Sequence, residues 1–149
     1  MLHFQRTNSL NNDFIDLVRD LDVYLAEKDG DEHDYYAQYN KLDTINHVIV
    51  AYEDETPVAC GAIKEFERGV MEVKRMYTAP QSRGKGIAGK VLTELEKWAR
   101  ELEYGKCILE TGKRQTEAVA LYKKCGYNPI PNYGQYAIMD NSLCFEKSL

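Results

Sequence analysis

Between Phe14 and Leu25 the apolar side chains fall at Phe14, Leu17, Val18, Leu21, Tyr24 and Leu25, the spacing of one face of a helix. Asn and Asp residues just ahead of Phe14 are N-cap candidates, and Gly30 stands past the other end. LHFQRTN, before this helix, alternates briefly and predicts a first strand. DEHDYYAQYNKLDT, after it, is acidic and aromatic and predicts a shorter helix. The period then changes. HVIVAYEDE, TPVACGAIKEF and VMEVKRMYT are β-rich runs parted by DET and ERG, which spells an antiparallel meander. Past Pro80 a helical stripe returns at Ile87, Val91, Leu95, Trp98 and Leu102 and ends at Gly105; Trp98 on that stripe reads as a packing residue. KCILET predicts a short buried strand. RQTEAVALYKKCGY predicts a helix closed by Gly126, because Pro129 and Pro131 forbid its continuation. YGQYAIMDNSLCFEKSL reads as two final strands joined at MDNS. The order is β-α-α-β-β-β-α-β-α-β-β, a mixed α/β domain over residues 1–149 with a largely antiparallel first half. One detail breaks the strand period: Val73 and Met76 are apolar at a spacing of three, which one inserted residue would reconcile.

Composition adds exclusions. At 149 residues, 44% hydrophobic and 29% charged, the chain suits one soluble domain with its own core. MLHFQRTNSLNND has no apolar run, so no signal peptide is expected, and no stretch approaches a membrane span. Cys60, Cys107, Cys125 and Cys144 sit singly in apolar runs, as reduced buried thiols of a cytoplasmic protein do. His3, His33 and His47 join no cysteine cluster, so no metal site is expected. Charge is uneven: residues 1–60 carry 13 Asp/Glu against 4 Lys/Arg, and the remainder 11 against 15. The acidic balance argues against nucleic acid as a partner. The split suits a protein that holds a polyanion with its second half and a cation near its first.

QSRGKGIAGK offers the site for such a polyanion. It contains G-x-G-x-x-G at Gly84, Gly86 and Gly89, between a strand-like and a helix-like run, and a helix N-terminus there would present free N–H groups to a phosphate. A dinucleotide-binding unit is one reading, with Glu110 at roughly the distance of a ribose-binding acid. Three features oppose it. The loop PQSR parts the strand from the first glycine, the strands upstream follow in meander order, and only about 60 residues remain for a second half. A Walker loop also fails, since Lys90 is followed by Val91.

The same residues resemble a known family. QSRGKGIA fits the Q/R-x-x-G-x-G/A signature of the GNAT superfamily, the GCN5-related N-acetyltransferases. EVKRMYTAP is similar to the family's central strand leading into that loop, and AVALYKKCGY to its second signature, A-x-x-L-Y-x-x-x-G-F/Y. The resemblance covers nearly all of residues 45–149 and the element order. It implies a single-domain GNAT fold, with a mixed, mostly antiparallel sheet flanked by helices, and acetyl-CoA as co-substrate with no metal. Gln81, Arg83, Gly84, Lys85, Gly86, Ile87, Ala88 and Gly89 would receive the pyrophosphate. The pantetheine arm would run along Met76, Tyr77 and Thr78, where family members splay the fourth and fifth strands at a bulge. Where the family often has Asn contacting that arm, this chain has Gln115, an amide one methylene longer.

Acetyl transfer to an amine needs a base for the amine proton, donors for the oxyanion and an acid for the departing thiolate. The resemblance gives Tyr122 the acid's role beside the cofactor sulfur, and the backbone N–H of Met76 or Tyr77 that of oxyanion donor. Glu72 on the central strand is the first candidate base and Glu110 on the next strand the second, each through a water chain if burial raises its pKa. The family builds its acceptor site from the first helices and last strands, here DEHDYYAQYN and NPIPNYGQY, and acids among tyrosines suit a cationic amine. A primary amine of a small molecule or peptide is therefore the expected partner, and homodimers are common in the family. Rival readings are a non-catalytic acyl-CoA sensor or regulatory module, and the nucleotide-dependent enzyme.

Overall fold

The structure is a computed structural model and describes residues 1–37 and 44–149. Its elements are β1 (Leu2–Thr7), α1 (Asn12–Asp29), α2 (His33–Ala37), β2 (His47–Glu53), β3 (Thr56–Glu67), β4 (Val70–Thr78), α3 (Ile87–Glu101), β5 (Lys106–Gly112), α4 (Thr116–Lys124), β6 (Asn128–Ile130) and β7 (Ser142–Ser148). This is the expected order. The helical reading of DEHDYYAQYNKLDT holds for His33–Ala37, and residues 38–43 lie outside the described residues.

The tail departs from expectation. Its penultimate strand is Asn128–Ile130, and residues 133–139 form a loop with one 3-10 turn. Asn132 explains the loop: its Nδ2 donates to Met139 O at 3.1 Å and to Ser142 O at 3.0 Å, closing the segment on itself. Side chain to backbone bonds of this kind compete with a strand ladder, and alternation of apolar residues cannot reveal them.

The strands form one sheet in the order β1-β2-β3-β4-β5-β7-β6, antiparallel throughout except for the parallel pair β4 and β5. Both faces are covered, which is why β2 reads as a continuous apolar run. Val48, Val50 and Tyr52 face α1, packing with Phe14, Leu17, Val18 and Leu21. Ile49 and Ala51 face α3, packing with Ile87, Val91, Leu92 and Leu95. Asn11 caps α1, its side chain accepting from the Phe14 N–H at 3.0 Å.

Two irregularities of β4 open the sheet. In its ladder with β3, Cys60 pairs with Tyr77 and Ala62 with Lys74, so Arg75 and Met76 together oppose Gly61. This is the inserted residue that the spacing of Val73 and Met76 called for, and Arg75 adopts φ +59 there. The guanidinium of Arg75 is buried against α1 and binds Asp22 at 3.0 Å. On the other side, the β4 and β5 register covers only Val70–Glu72 against Lys106–Ile108. Beyond Glu72 and Ile108 the two strands continue without pairing, and the gap between them holds the site.

Candidate functional site

The gap leads into a groove of about 250 Å³, walled by the end of β4 and the loop and helix that follow. Its floor is the N-terminus of α3. Gly84 and Gly86 take φ +80 and +76, the left-handed region, which bends the chain sharply into the helix. Gly86 is the N-cap, so no side chain caps the first turn, and that turn carries no acidic residue. The first N–H groups of α3 are therefore left for an anion, in the field of the helix dipole.

Most residues expected to hold a cofactor line this groove: Met76, Tyr77 and Thr78 from β4, Arg83, Gly84 and Gly86 from the loop, and Ile87, Ala88 and Gly89 from α3. Gln115 and Tyr122 also line it. Arg83 is folded inward, with Nε donating to Thr78 O at 2.9 Å and its guanidinium over the rings of Tyr24 and Tyr77. Gln81 and Lys85 are exposed and do not line the groove. Sequence reasoning missed Leu21, Tyr24, Ser82, Glu117, Ala118 and Leu121. Leu121 stands inside the ALYKK motif and could have been found there. Tyr24 lies on the apolar face of α1 and has no local feature that separates a groove residue from a core one.

A second cavity of about 90 Å³ adjoins the groove and shares Leu21, Met76, Gln115 and Tyr122 with it. Three carboxylates line it, Asp29 from α1, Glu72 from β4 and Glu110 from β5, together with the cations Lys74 and Arg75 of β4 and the rings of Tyr36 and Tyr136. Tyr122 is one of the four residues common to the two cavities. Its side chain is buried, its ring packs beside Tyr127 and Phe145, and its hydroxyl forms no hydrogen bond among the described residues. Burial, then the nearby Glu110 and Cys125, push its pKa upward, so the phenol stays protonated.

The two candidate bases differ. Glu72 accepts from Tyr133 OH at 2.7 Å and faces Lys74 Nζ at 3.8 Å. Burial and the adjoining Glu72 raise the pKa of Tyr133, which keeps it a donor. Glu110 accepts from Ser142 Oγ at 2.8 Å, and its pKa is pushed up from 4.5 to about 7, chiefly by burial. Asp29 and Glu72 push it in the same direction, while the Ser142 hydrogen bond and Lys74 oppose them. A carboxyl titrating near 7 can both accept and release a proton at neutral pH. The bonds of Tyr133 and Ser142 to these glutamates span 61 and 32 residues, and no sequence signal marked them.

The four cysteines are free; Cys60, Cys107 and Cys144 are buried and Cys125 partly so. Burial pushes the Cys60 thiol up to about 12 and Cys107 to about 11, which makes both inert packing groups. No helix among the described residues is long and apolar enough to cross a membrane.

A sheet opened by a bulge on β4, above a glycine-turned helix N-terminus, defines the class of protein. The family model for the acetyltransferase (GNAT) family matches residues 12–127, and the chain belongs to that family. It is similar to an "IAA acetyltransferase" of Azospirillum brasilense, 34% identical over 146 residues that make up 97% of this chain and 95% of that protein. A crystal structure from Klebsiella pneumoniae subsp. pneumoniae MGH 78578, assigned as an acyl-CoA N-acyltransferase, superposes with a TM-score of 0.83 at 31% identity and covers 100% of this chain and 98% of its own. The PaiA N-acetyltransferase of Thermoplasma acidophilum, solved in complex with coenzyme A, shares the fold at a TM-score of 0.72 and 17% identity, covering 100% and 99%. The chain is thus an acetyltransferase by family and carries the acetyl-CoA-dependent GNAT fold.

Proposed function

We propose that this acetyltransferase acetylates a compact cationic primary amine, seated in the carboxylate-lined cavity and meeting the thioester at Tyr122. The carrying observation is that Tyr122 is shared by the groove and the carboxylate-lined cavity. Acetyl-CoA supplies an activated acetyl: the amine nitrogen bonds to the thioester carbon, the C–S bond breaks, and coenzyme A leaves as a thiol while one proton goes to solvent. The groove fits its donor, since an uncapped helix start free of acids suits a pyrophosphate, with Arg83 adding a cation. On its β5 side β4 is unpaired at Met76 to Thr78 and offers backbone groups to an extended arm, and Gln115 offers an amide.

Asp29, Glu72 and Glu110 attract an ammonium group, and the rings of Tyr36 and Tyr136 can flank it. An ammonium has no lone pair, so the base must remove a proton before attack. Glu110 is the better placed base because burial has brought its pKa to about 7, closer to that of an amine than an ordinary carboxylate. Glu72, engaged by Tyr133 and Lys74, holds the cation. Tyr122 acts as the general acid, its hydroxyl directed to the sulfur as the bond breaks. Backbone N–H groups at Met76 or Tyr77 receive the oxyanion.

The test is thiol release from acetyl-CoA against a panel of amines, with the IAA of the Azospirillum relative's name included beside compact mono- and diamines. Turnover with a small cationic amine and its loss in Glu110→Gln support the reading. Binding of acetyl-CoA and coenzyme A without turnover on any acceptor would favour the sensor alternative instead.

A further inference from the structure

Glu110 is the end of a hydrogen-bonded chain that begins on α2. Its Oε2 accepts from Ser142 Oγ at 2.8 Å, and Ser142 Oγ lies 2.7 Å from Tyr36 OH. A hydroxyl carries one proton. Ser142 gives its proton to the carboxylate, so Tyr36 must donate to Ser142, and the chain has one direction while Glu110 is ionised. Ser142 is 2% exposed and Tyr36 4%, so water does not compete for these bonds.

The placement is specific. Glu110 sits opposite Cys144 in the β5 and β7 ladder, and Ser142 sits opposite Gly112. The hydroxyl thus reaches Glu110 from two residues along the neighbouring strand, on the face where Tyr36 arrives from the other side. Tyr36 also stacks on Tyr136, with ring centres 6.3 Å apart, which ties α2 to the loop before β7. Among the described residues, Glu110 Oε1 is committed to no hydrogen bond.

We propose that Tyr36 and Ser142 are positioning residues for the base: they hold Glu110 by Oε2, present Oε1 to the acceptor, and favour its ionised form. This rests on the reading of Glu110 as the base. Other groups facing Glu110 do different work. Asp29 of α1 and Glu72 of β4 oppose its ionisation, and Lys74 of β4 favours it. Cys144 of β7 and the phenols Tyr122 and Tyr136 stay neutral, their pKa values raised chiefly by burial. Arg75 is turned toward Asp22. Ser142 is the one hydrogen-bond donor to the carboxylate among the described residues, and Tyr36 polarises it.

Removal of that donor should raise the Glu110 pKa. A hydrogen bond to a charged group corresponds to a shift of about one pH unit, and loss of the polarising phenol to a few tenths. The experiment follows the Glu110 side-chain carboxyl carbon by NMR in the ligand-free protein, identified by its absence in Glu110→Gln, for wild type, Ser142→Ala, Ser142→Thr and Tyr36→Phe. The pH profile of kcat/KM is measured on the same four. The proposal expects the Glu110 titration to move up by about one unit in Ser142→Ala, by about a few tenths in Tyr36→Phe, and back in Ser142→Thr, with the acid limb of kcat/KM following. An unmoved Glu110 titration in folded Ser142→Ala and Tyr36→Phe overturns the positioning role. A titration that moves while the acid limb stays overturns the proposal at its premise, because Glu110 would then be held by the chain without being the base.

Discussion

Replacing Glu110 by glutamine should make the protein more stable at alkaline pH while it slows the enzyme. The Glu110 carboxyl has its pKa raised from 4.5 to about 7 in the folded state. Between those values the folded protein holds a proton that the unfolded chain has released, so stability falls as pH rises through this window and is level above it. The gap of about 2.5 units corresponds to about 3 kcal/mol at pH 8, and glutamine, which never ionises, removes that cost. Below pH 4.5 both side chains are neutral and the difference vanishes. For a chain of this size about 3 kcal/mol moves Tm by roughly 6–12 °C. Melting curves of wild type and Glu110→Gln from pH 4 to pH 9 should therefore coincide at the acid end and part progressively toward pH 8, the variant melting higher. A gap that does not depend on pH, or a variant that melts lower at pH 8, would refute the assignment of a desolvated, proton-retaining carboxyl.

Other outcomes follow from the same structure. Gly86→Ala places a side chain at φ +76 with no heavy atom within 4 Å of the new Cβ, so its cost of about 1–2 kcal/mol is conformational; calorimetry should show weakened coenzyme A binding together with a lowered Tm. Glu96 is buried and is held by Lys147 Nζ at 2.9 Å and Tyr127 OH at 2.9 Å. Lys147→Met leaves that carboxylate without its cation and should cost about 3 kcal/mol in urea unfolding, with acetyl-CoA affinity unchanged. Asn11→Ala removes the cap of α1 and should cost about 1 kcal/mol by the same measurement.

What could be read from the chain was whatever has a local period or a fixed motif. The stripes of α1 and α3, the turns of the meander and the β4 bulge all declare themselves within a few residues of sequence. The glycine loop did so too, because the backbone conformation at Gly84 and Gly86 is a property of those residues. The site's polar network is different. Tyr133 on Glu72, Ser142 on Glu110 and Tyr36 on Ser142 join residues that only the finished sheet brings together. Sequence placed Glu72 ahead of Glu110 as base because it stands on the central strand; the desolvation that pushes the Glu110 carboxyl up to about 7 comes from elements far along the chain. Gln81 and Lys85 show the reverse limit. Gln81 fits the loop signature and Lys85 flanks its turn, yet both are exposed, and the 3-10 turn at Pro80–Ser82 buries Ser82 and leaves its neighbour Gln81 outside. The loop after β6 was misread because Asn132 binds it by its side chain, which no alternation pattern records.

The central claim is that donor and acceptor meet at Tyr122. Its most direct test is steady-state thiol release by wild type and Tyr122→Phe on the amine that wild type turns over, with acetyl-CoA affinity measured beside it. The expected result is a fall in kcat of about a hundredfold or more, the ordinary contribution of a positioned acid, with the acetyl-CoA Kd nearly unchanged. An equal kcat in the two proteins would contradict it.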